Sequence, residues 1–338
     1  MKYHKEKEES IRQYILSMIL KHESGIAKKT ASVFSISEMT VYRYLRHMLD
    51  EKIIFKEAST YHLSEVSKIF SLDIKEAREL SEDRVYSKLI APEIQDLPDN
   101  IRNIWEYCFS EMMNNVIDHS GSTEVKIRFI RDYMSTKIII EDNGIGLFRK
   151  IRDYFGFSDY KDVLAELFKG KLTTDSDNHS GEGIFFTSRI MDEFSIISDE
   201  MVFSLDNSSE LTDNVESVSK EKDNRGTLVS MKLSNHTNKT SKSIFDLYAD
   251  IDGGFIKTRI PIKSIYDTYP VSRSQAKRLI RRFDEFREVE LDFDGVKEIG
   301  QGFAHELFSV YAKKHPETRL SFINANDDIS KMIHHVTH

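Results

Sequence analysis

SEMMNNVIDHS, residues Ser110–Ser120, is the stretch whose reading decides the central fold. It closes a run from Ile101 to His119 whose apolar residues recur at helical spacing. Glu111 and Asn115 lie four apart and therefore share one helix face, while Met112, Met113, Val116 and Ile117 turn elsewhere. A carboxylate beside a carboxamide suits two tasks in phosphoryl transfer. The carboxylate can orient or deprotonate an attacking water, and the carboxamide oxygen can ligate Mg2+. Alone, the pair equally describes a wet helix face.

Working outward, Val125–Ile130 and Lys137–Glu141 are rich in β-branched residues and read as strands. The second runs into EDNGIG, Glu141–Gly146, which sets the carboxylate of Asp142 in a turn whose glycines let backbone approach a flat ligand. Asp142 can accept a hydrogen bond from the adenine amino group. The same letters also describe an ordinary solvent turn. Further on, HSGEGIFFTSRI (His179–Ile190) opens a helix at Gly181 and Gly183, where exposed amides suit an anionic phosphate. Strands are expected at Phe194–Ser198 and Thr227–Leu233, the latter beginning in NRGTLV with Thr227.

The order and spacing of these four pieces resemble the GHKL superfamily of gyrase-type topoisomerases, chaperone ATPases, sensor histidine kinases and mismatch-repair ATPases. The resemblance covers about residues 76–235, within a domain bounded at 76–238. It implies an α/β sandwich holding ATP between a helical layer and a lid. By the same resemblance Glu111 is the general base and Asn115 the Mg2+ ligand. Asp142 reads adenine with Gly144 and Gly146 beside it, residues 147–180 form the lid, Gly181 and Gly183 lie on the phosphate side, and Thr227 lies near the adenine. Sensor histidine kinases usually carry Asn at the position of Glu111 and need a phosphoacceptor histidine before it. Residues 66–100 contain no histidine, which favours hydrolysis or transfer to a hydroxyl. For the cation that meets the phosphates, Lys169, Lys171 and Arg189 are candidates, Lys171 first. His119 reads as a helix-end residue interacting with the C-terminal dipole.

Ahead of this domain, residues 1–65 give three helical patterns and then two short extended runs, Ile53–Lys56 and Tyr61–Leu63. SISEMTVYRYLRHMLDEKIIFKEASTYHLSE (Ser35–Glu65) resembles a winged helix-turn-helix in layout. That resemblance makes the helix after Ser37 the recognition helix, with Ser37, Thr40, Tyr42, Arg43 and Arg46 on or near its exposed face and Lys28 and Lys29 holding phosphates. Residues 66–75 read as a helical connector, and 206–225 as a mobile surface loop with almost no apolar anchors. In 250–338, LDFDGVKEIGQGFAHELFSVYAKKHPETRLSFINAN (Leu291–Asn326) is similar to a STAS-like domain. A STAS phosphoacceptor serine is expected where this chain has Ile299-Gly300-Gln301-Gly302-Phe303, without a hydroxyl. Docking or dimerisation is the plainer role. The expected fold class is α+β multidomain: winged helix-turn-helix, GHKL α/β sandwich, small STAS-like α/β domain.

Composition sets outer limits. A chain of 338 residues accommodates two or three domains. The single cysteine, Cys108, excludes an internal disulfide, and no apolar run suits a signal peptide or a membrane helix, so a cytoplasmic protein is expected. Net charge is −8 overall, yet residues 1–65 carry +2, which permits a DNA-facing module on an acidic body. These readings combine into an ATP-switched DNA-binding regulator with slow Mg2+-dependent hydrolysis. Its expected partners are ATP, double-stranded DNA through the N-terminal domain, and a protein through the STAS-like domain. The rival is a serine/threonine kinase acting on a partner protein, as in anti-sigma systems. A third reading has ATP driving homodimerisation on DNA.

Overall fold

The structure, a computed structural model, describes residues 2–172, 181–199, 201–206, 226–250, 254–266 and 269–337. The N-terminal domain comprises α1 (Lys2–Leu20), α2 (Ile26–Phe34), α3 (Glu38–Asp50) and the hairpin β1 (Ile54–Glu57) and β2 (Thr60–Leu63). Ser37 starts α3 as expected, its hydroxyl accepting the Thr40 amide at 3.1 Å. The apolar stripes of the helices bury Ile11, Ile15, Leu16, Ile19, Val41, Leu45 and Met48 with Ile54 in a core of their own.

Residues 66–73, expected to be helical, form strand β3 (Val66–Asp73). Ile69 and Leu72 suggested a helix by their spacing of three. The decisive pattern has period two: Phe70 and Leu72 turn inward, and Ile69 is left exposed. Hydrogen bonding to β4 (Glu124–Arg131) fixes it as an edge strand. Only at Asp73, whose carboxylate accepts the Lys75 amide at 2.7 Å, does the helical part begin, with α4 (Ile74–Leu80) and α5 (Glu82–Leu89).

The central domain then runs through α6 (Asp99–Asn114), a π-helical turn at Asn115–His119, β4, and β5 (Ser135–Asp142). After these come α7 (Leu147–Phe155), α8 (Tyr160–Lys169), α9 (Gly183–Ile190), β6 (Glu193–Ser198), β7 (Met201–Asp206) and β8 (Thr227–Ser234). The strands form one antiparallel sheet in the order β3-β4-β5-β8-β6-β7. Alternate residues Val125, Ile127 and Phe129 of β4, and Ile138 and Ile140 of β5, share a core with Trp105, Cys108, Phe109 and Met112 of α6. The segment expected to form the lid, from Leu147, is mostly helical as far as Lys169. The rest of that expected lid, residues 173–180, and all but the first residue of the expected loop 206–225 lie outside the described residues.

The C-terminal part contains α10 (Ser241–Tyr248), β9 (Lys257–Pro261), α11 (Ile262–Ile265), α12 (Arg273–Leu279), β10 (Glu288–Asp292) and α13 (Gln301–His305). A π-helical turn at Glu306–Tyr311 joins α13 to α14 (Ala312–Lys314), followed by β11 (Arg319–Ile323) and α15 (Asp327–Thr337). A capping box between Ser272 and Gln275 starts α12. Its strands make a parallel sheet in the order β11-β10-β9. This part has no separate core. Phe185 and Phe186 of α9 pack on Phe255, Tyr248 and Phe245, and Phe255 packs on Phe286. Among the described residues, no helix is long and apolar enough to cross a membrane.

Candidate functional site

β5 ends at Asp142, beside the start of β8, and this sheet end forms the floor of a narrow cleft. Asn115, His119 and Ser120 line it from the end of α6, Gly146, Leu147 and Lys150 from the start of α7, Ile184 from α9, and Thr227 from β8. The Asp142 side chain is buried, and its Oδ1 accepts the Gly144 amide at 2.7 Å. Burial pushes its carboxyl pKa up, while hydrogen bonds from Gly144 and from the amide and hydroxyl of Thr227 oppose that shift. The Thr227 hydroxyl in turn accepts the Leu147 amide at 3.0 Å, which ties the start of α7 to the sheet. Asn143 turns outward and accepts the Thr123 amide at 2.9 Å.

The glycines are there because backbone lies against backbone. A Cβ at Gly144 would collide with the Ser120 carbonyl, and Gly146 has φ +89 with the Ser198 hydroxyl beside it. Gly226, which the sequence reading passed over, is equally constrained: its φ is +131 and a Cβ there would strike the Asp142 carbonyl. Its only sequence signal is its place next to Thr227.

Glu111 stands one helical turn before Asn115, toward the start of α9. Asn115 lines the cleft at the start of the π-helical turn. The Glu111 carboxylate packs directly on Gly183, so closely that any Cβ there would collide with it. An anion at the first residue of α9 is favourably placed against the helix dipole. Gly181, with φ +70, lies against Leu172, and its carbonyl accepts the Leu172 amide at 3.1 Å. Residues 172 and 181 are thereby pinned together. Asn115, Asp142, Gly146 and Thr227 thus line one cleft, Gly144 is bonded to Asp142 beside it, Glu111 packs on Gly183 next to the lining residue Ile184, and Gly181 stands at the end of the segment expected to form the lid.

Lys171 does not join them. Gly170 (φ +84) and Lys171 (φ +56) both take left-handed backbone, and the Lys171 side chain leaves toward the C-terminal domain. Its Nζ donates to the Glu285 carbonyl at 2.8 Å and lies 4.9 Å from the ring centre of Phe286. That burial lowers its pKa. The other two candidates are spent on the same interface. Lys169 is fully buried, pairs with Glu166 at 2.7 Å and donates to the Arg281 carbonyl at 2.7 Å. Arg189 stacks over Phe185 and donates to the Phe168 carbonyl at 2.9 Å, with its pKa lowered by burial to about 10. Further ion pairs join α8 to the C-terminal domain, Glu166 to Arg282 at 2.9 Å and Asp162 to Arg278 at 3.2 Å. Charge was legible in the sequence, but the direction in which each side chain leaves was not.

On the N-terminal domain, Lys28, Ser37, Tyr42, Arg43 and Arg46 are exposed and Thr40 is half-buried. Lys29 is exposed but paired with Glu23 at 2.7 Å. This face is separate from the junction with the central domain. That junction runs through α1, where the Tyr133 hydroxyl donates to the Glu9 carboxylate at 3.1 Å and Arg12 lies over the Tyr133 ring. Tyr133 sits in the β4–β5 turn, at the opposite end of β5 from Asp142.

Among the described residues, no group of three or more His, Cys, Asp or Glu side chains is arranged to hold a metal. Beyond the expected residues, the cleft uses Met112, Val116, Ile196 and Val229 as apolar walls. No curated protein matches the chain. Residues 275–330, which include most of α12, β10, β11 and the start of α15, match the family model described as a STAS-like domain of unknown function (DUF4325).

Proposed function

We propose that the central domain is a GHKL-type ATP-binding unit and that the chain is an ATP-switched regulator. A winged-helix DNA reader stands at its N-terminus and a STAS-like interaction domain at its C-terminus. One observation carries this reading: a buried carboxylate, Asp142, sits on a cleft floor that Asn115, Gly146 and Thr227 reach from three other segments. An apolar slot with one buried acceptor suits a flat base bearing an exocyclic amino group. Glu111, beside Gly183, is positioned to activate water, and Asn115 to hold Mg2+ with the phosphates.

The switch has a physical route. α8 belongs to the segment expected to cover the nucleotide, and it is bonded to the STAS-like side through Glu166, Lys169 and Asp162. Reordering of that segment by ATP changes the surface offered by the C-terminal domain. Titration calorimetry with a non-hydrolysable ATP analogue tests the reading. Wild type should bind, and Asp142→Asn should lose about 1–3 kcal/mol because the amino group then meets a mismatched partner. Unchanged affinity in the folded variant removes the adenine assignment.

A further inference from the structure

The candidate cations named from sequence are all engaged elsewhere, and a triphosphate leaves no cleft of this kind without a positive partner. We propose that Lys150 supplies it, as the residue that meets the phosphate chain of the nucleotide; this rests on the ATP-binding reading above. Lys150 is the one Lys or Arg among the described residues that line the cleft. It lies one helical turn after Gly146, its amide donating to the Gly146 carbonyl at 3.1 Å. Its side chain crosses the cleft to the far wall, where Nζ donates to the His119 carbonyl at 2.8 Å. The ammonium therefore stands on the Asn115 side, while the stem starts on the Asp142 side. A ligand with its base on Asp142 and its metal on Asn115 must pass it.

Among the described residues, the neighbouring cations are accounted for. Arg149 pairs with Asp199, and Arg152 pairs with Asp153 and stacks on Tyr160. Lys169, Lys171 and Arg189 belong to the C-terminal interface. Residues 173–180 read TTDSDNHS and add no Lys or Arg. With the cleft open, the carbonyl at the end of the α6 turn holds the ammonium in place by a favourable dipole contact. Exchanging that carbonyl for a phosphate oxygen keeps the ammonium hydrogen-bonded and gains charge assistance.

A purely structural role, tying α7 to the end of α6, predicts something different, so the test compares ligands. Full-length wild type, Lys150→Met and Lys150→Arg are titrated with adenosine, ADP and a non-hydrolysable ATP analogue, with Asp142→Asn as control. Lys150→Met should weaken the triphosphate analogue by about tenfold or more, the size of one charged hydrogen bond. Adenosine should be unaffected, ADP should fall between, and Lys150→Arg should recover most of the loss. Equal loss of adenosine and analogue in Lys150→Met overturns the proposal in favour of the structural tie. Unchanged affinity for both overturns it as well. If wild type binds neither adenosine nor analogue, the nucleotide reading itself falls, and the role of Lys150 with it.

Discussion

The two flanking domains are joined to the central sheet in opposite ways. The N-terminal domain closes a core of its own and touches its neighbour through a small junction around Glu9, Arg12, Tyr133 and Met134. The core of the C-terminal domain is continuous with that of the central domain. Phe185 and Phe186 of the central domain are covered by Phe245, Tyr248 and Phe255, and the charges of α8 are neutralised by α12 and the residues just after it. One domain is attached and the other is built in. A signal can pass to the built-in domain through packing alone, whereas the attached one must be reached through a strand and a few side chains.

Truncation breaks the comparison most severely. Removing residues 251–338 uncovers an aromatic cluster and strands Glu166 and Lys169 away from their partners, so the remainder should fail to unfold cooperatively. Removing residues 1–65 should leave a cooperative transition. Thermal melts of both pieces by circular dichroism check this. A soluble, cooperatively melting 1–250 fragment would show that the shared core is dispensable.

Within the interface, Glu166 and Lys169 should differ. Glu166 is bonded to both Lys169 and Arg282, so Glu166→Ala leaves a fully buried ammonium without its counter-ion. That should cost about 3–5 kcal/mol, the range for breaking a buried ion pair from one side. Lys169→Met leaves Glu166 still paired with Arg282 and puts an apolar side chain where Phe283 is packed, so its cost should be clearly smaller. Denaturant unfolding of the two variants decides it. Equal costs would mean that Arg282 does not stabilise Glu166 on its own.

How far the sequence could be read follows the same division. Where a local pattern suffices, the reading held: the Ser37 cap of α3 and the strand running into Asp142 are both where their residues place them. β3 was misread because pairing with β4, more than 50 residues away, decides its conformation, and Ile69 imitates helical spacing. β9 was missed for a similar reason: KTRIP is short, ends in proline and owes its place to a parallel partner, β10. Lys171, expected near the phosphates, lies toward Phe286 instead of the cleft because the backbone at Gly170 and Lys171 is left-handed. Lys150 went unnamed because its relevance depends on crossing to His119, a contact between separate helices.

On the N-terminal domain, the DNA reading is sharpened by the pairing of one lysine. Among the described residues Lys28 is exposed and forms no ion pair, whereas Lys29 already pairs with Glu23. Lys28→Ala should therefore weaken binding to any duplex and lower the salt slope by about 1, and Lys29→Ala should do so less. Electrophoretic mobility shifts across a salt series measure both. If neither full chain nor residues 1–65 binds duplex at low salt, the module is a protein-docking element.

The smallest effect should come from the N-terminal junction itself. Tyr133 donates to Glu9, carries Arg12 over its ring and stands beside His236, whose Nδ1 lies 3.7 Å from Glu9. The groups here are only partly buried, and exposed polar pairs of this kind contribute about 0–1 kcal/mol. Tyr133→Ala should thus barely move the global unfolding transition. It should, however, release α1 from the sheet end and make the Ser64–Glu65 link between β2 and β3 more open to protease, because that link is the other connection between the two bodies. Limited proteolysis of the variant against wild type, timed by mass spectrometry, reads this directly. A cleavage rate unchanged by Tyr133→Ala would mean that the packing of Met134 against the N-terminal core, and not the polar junction, holds the domain in place.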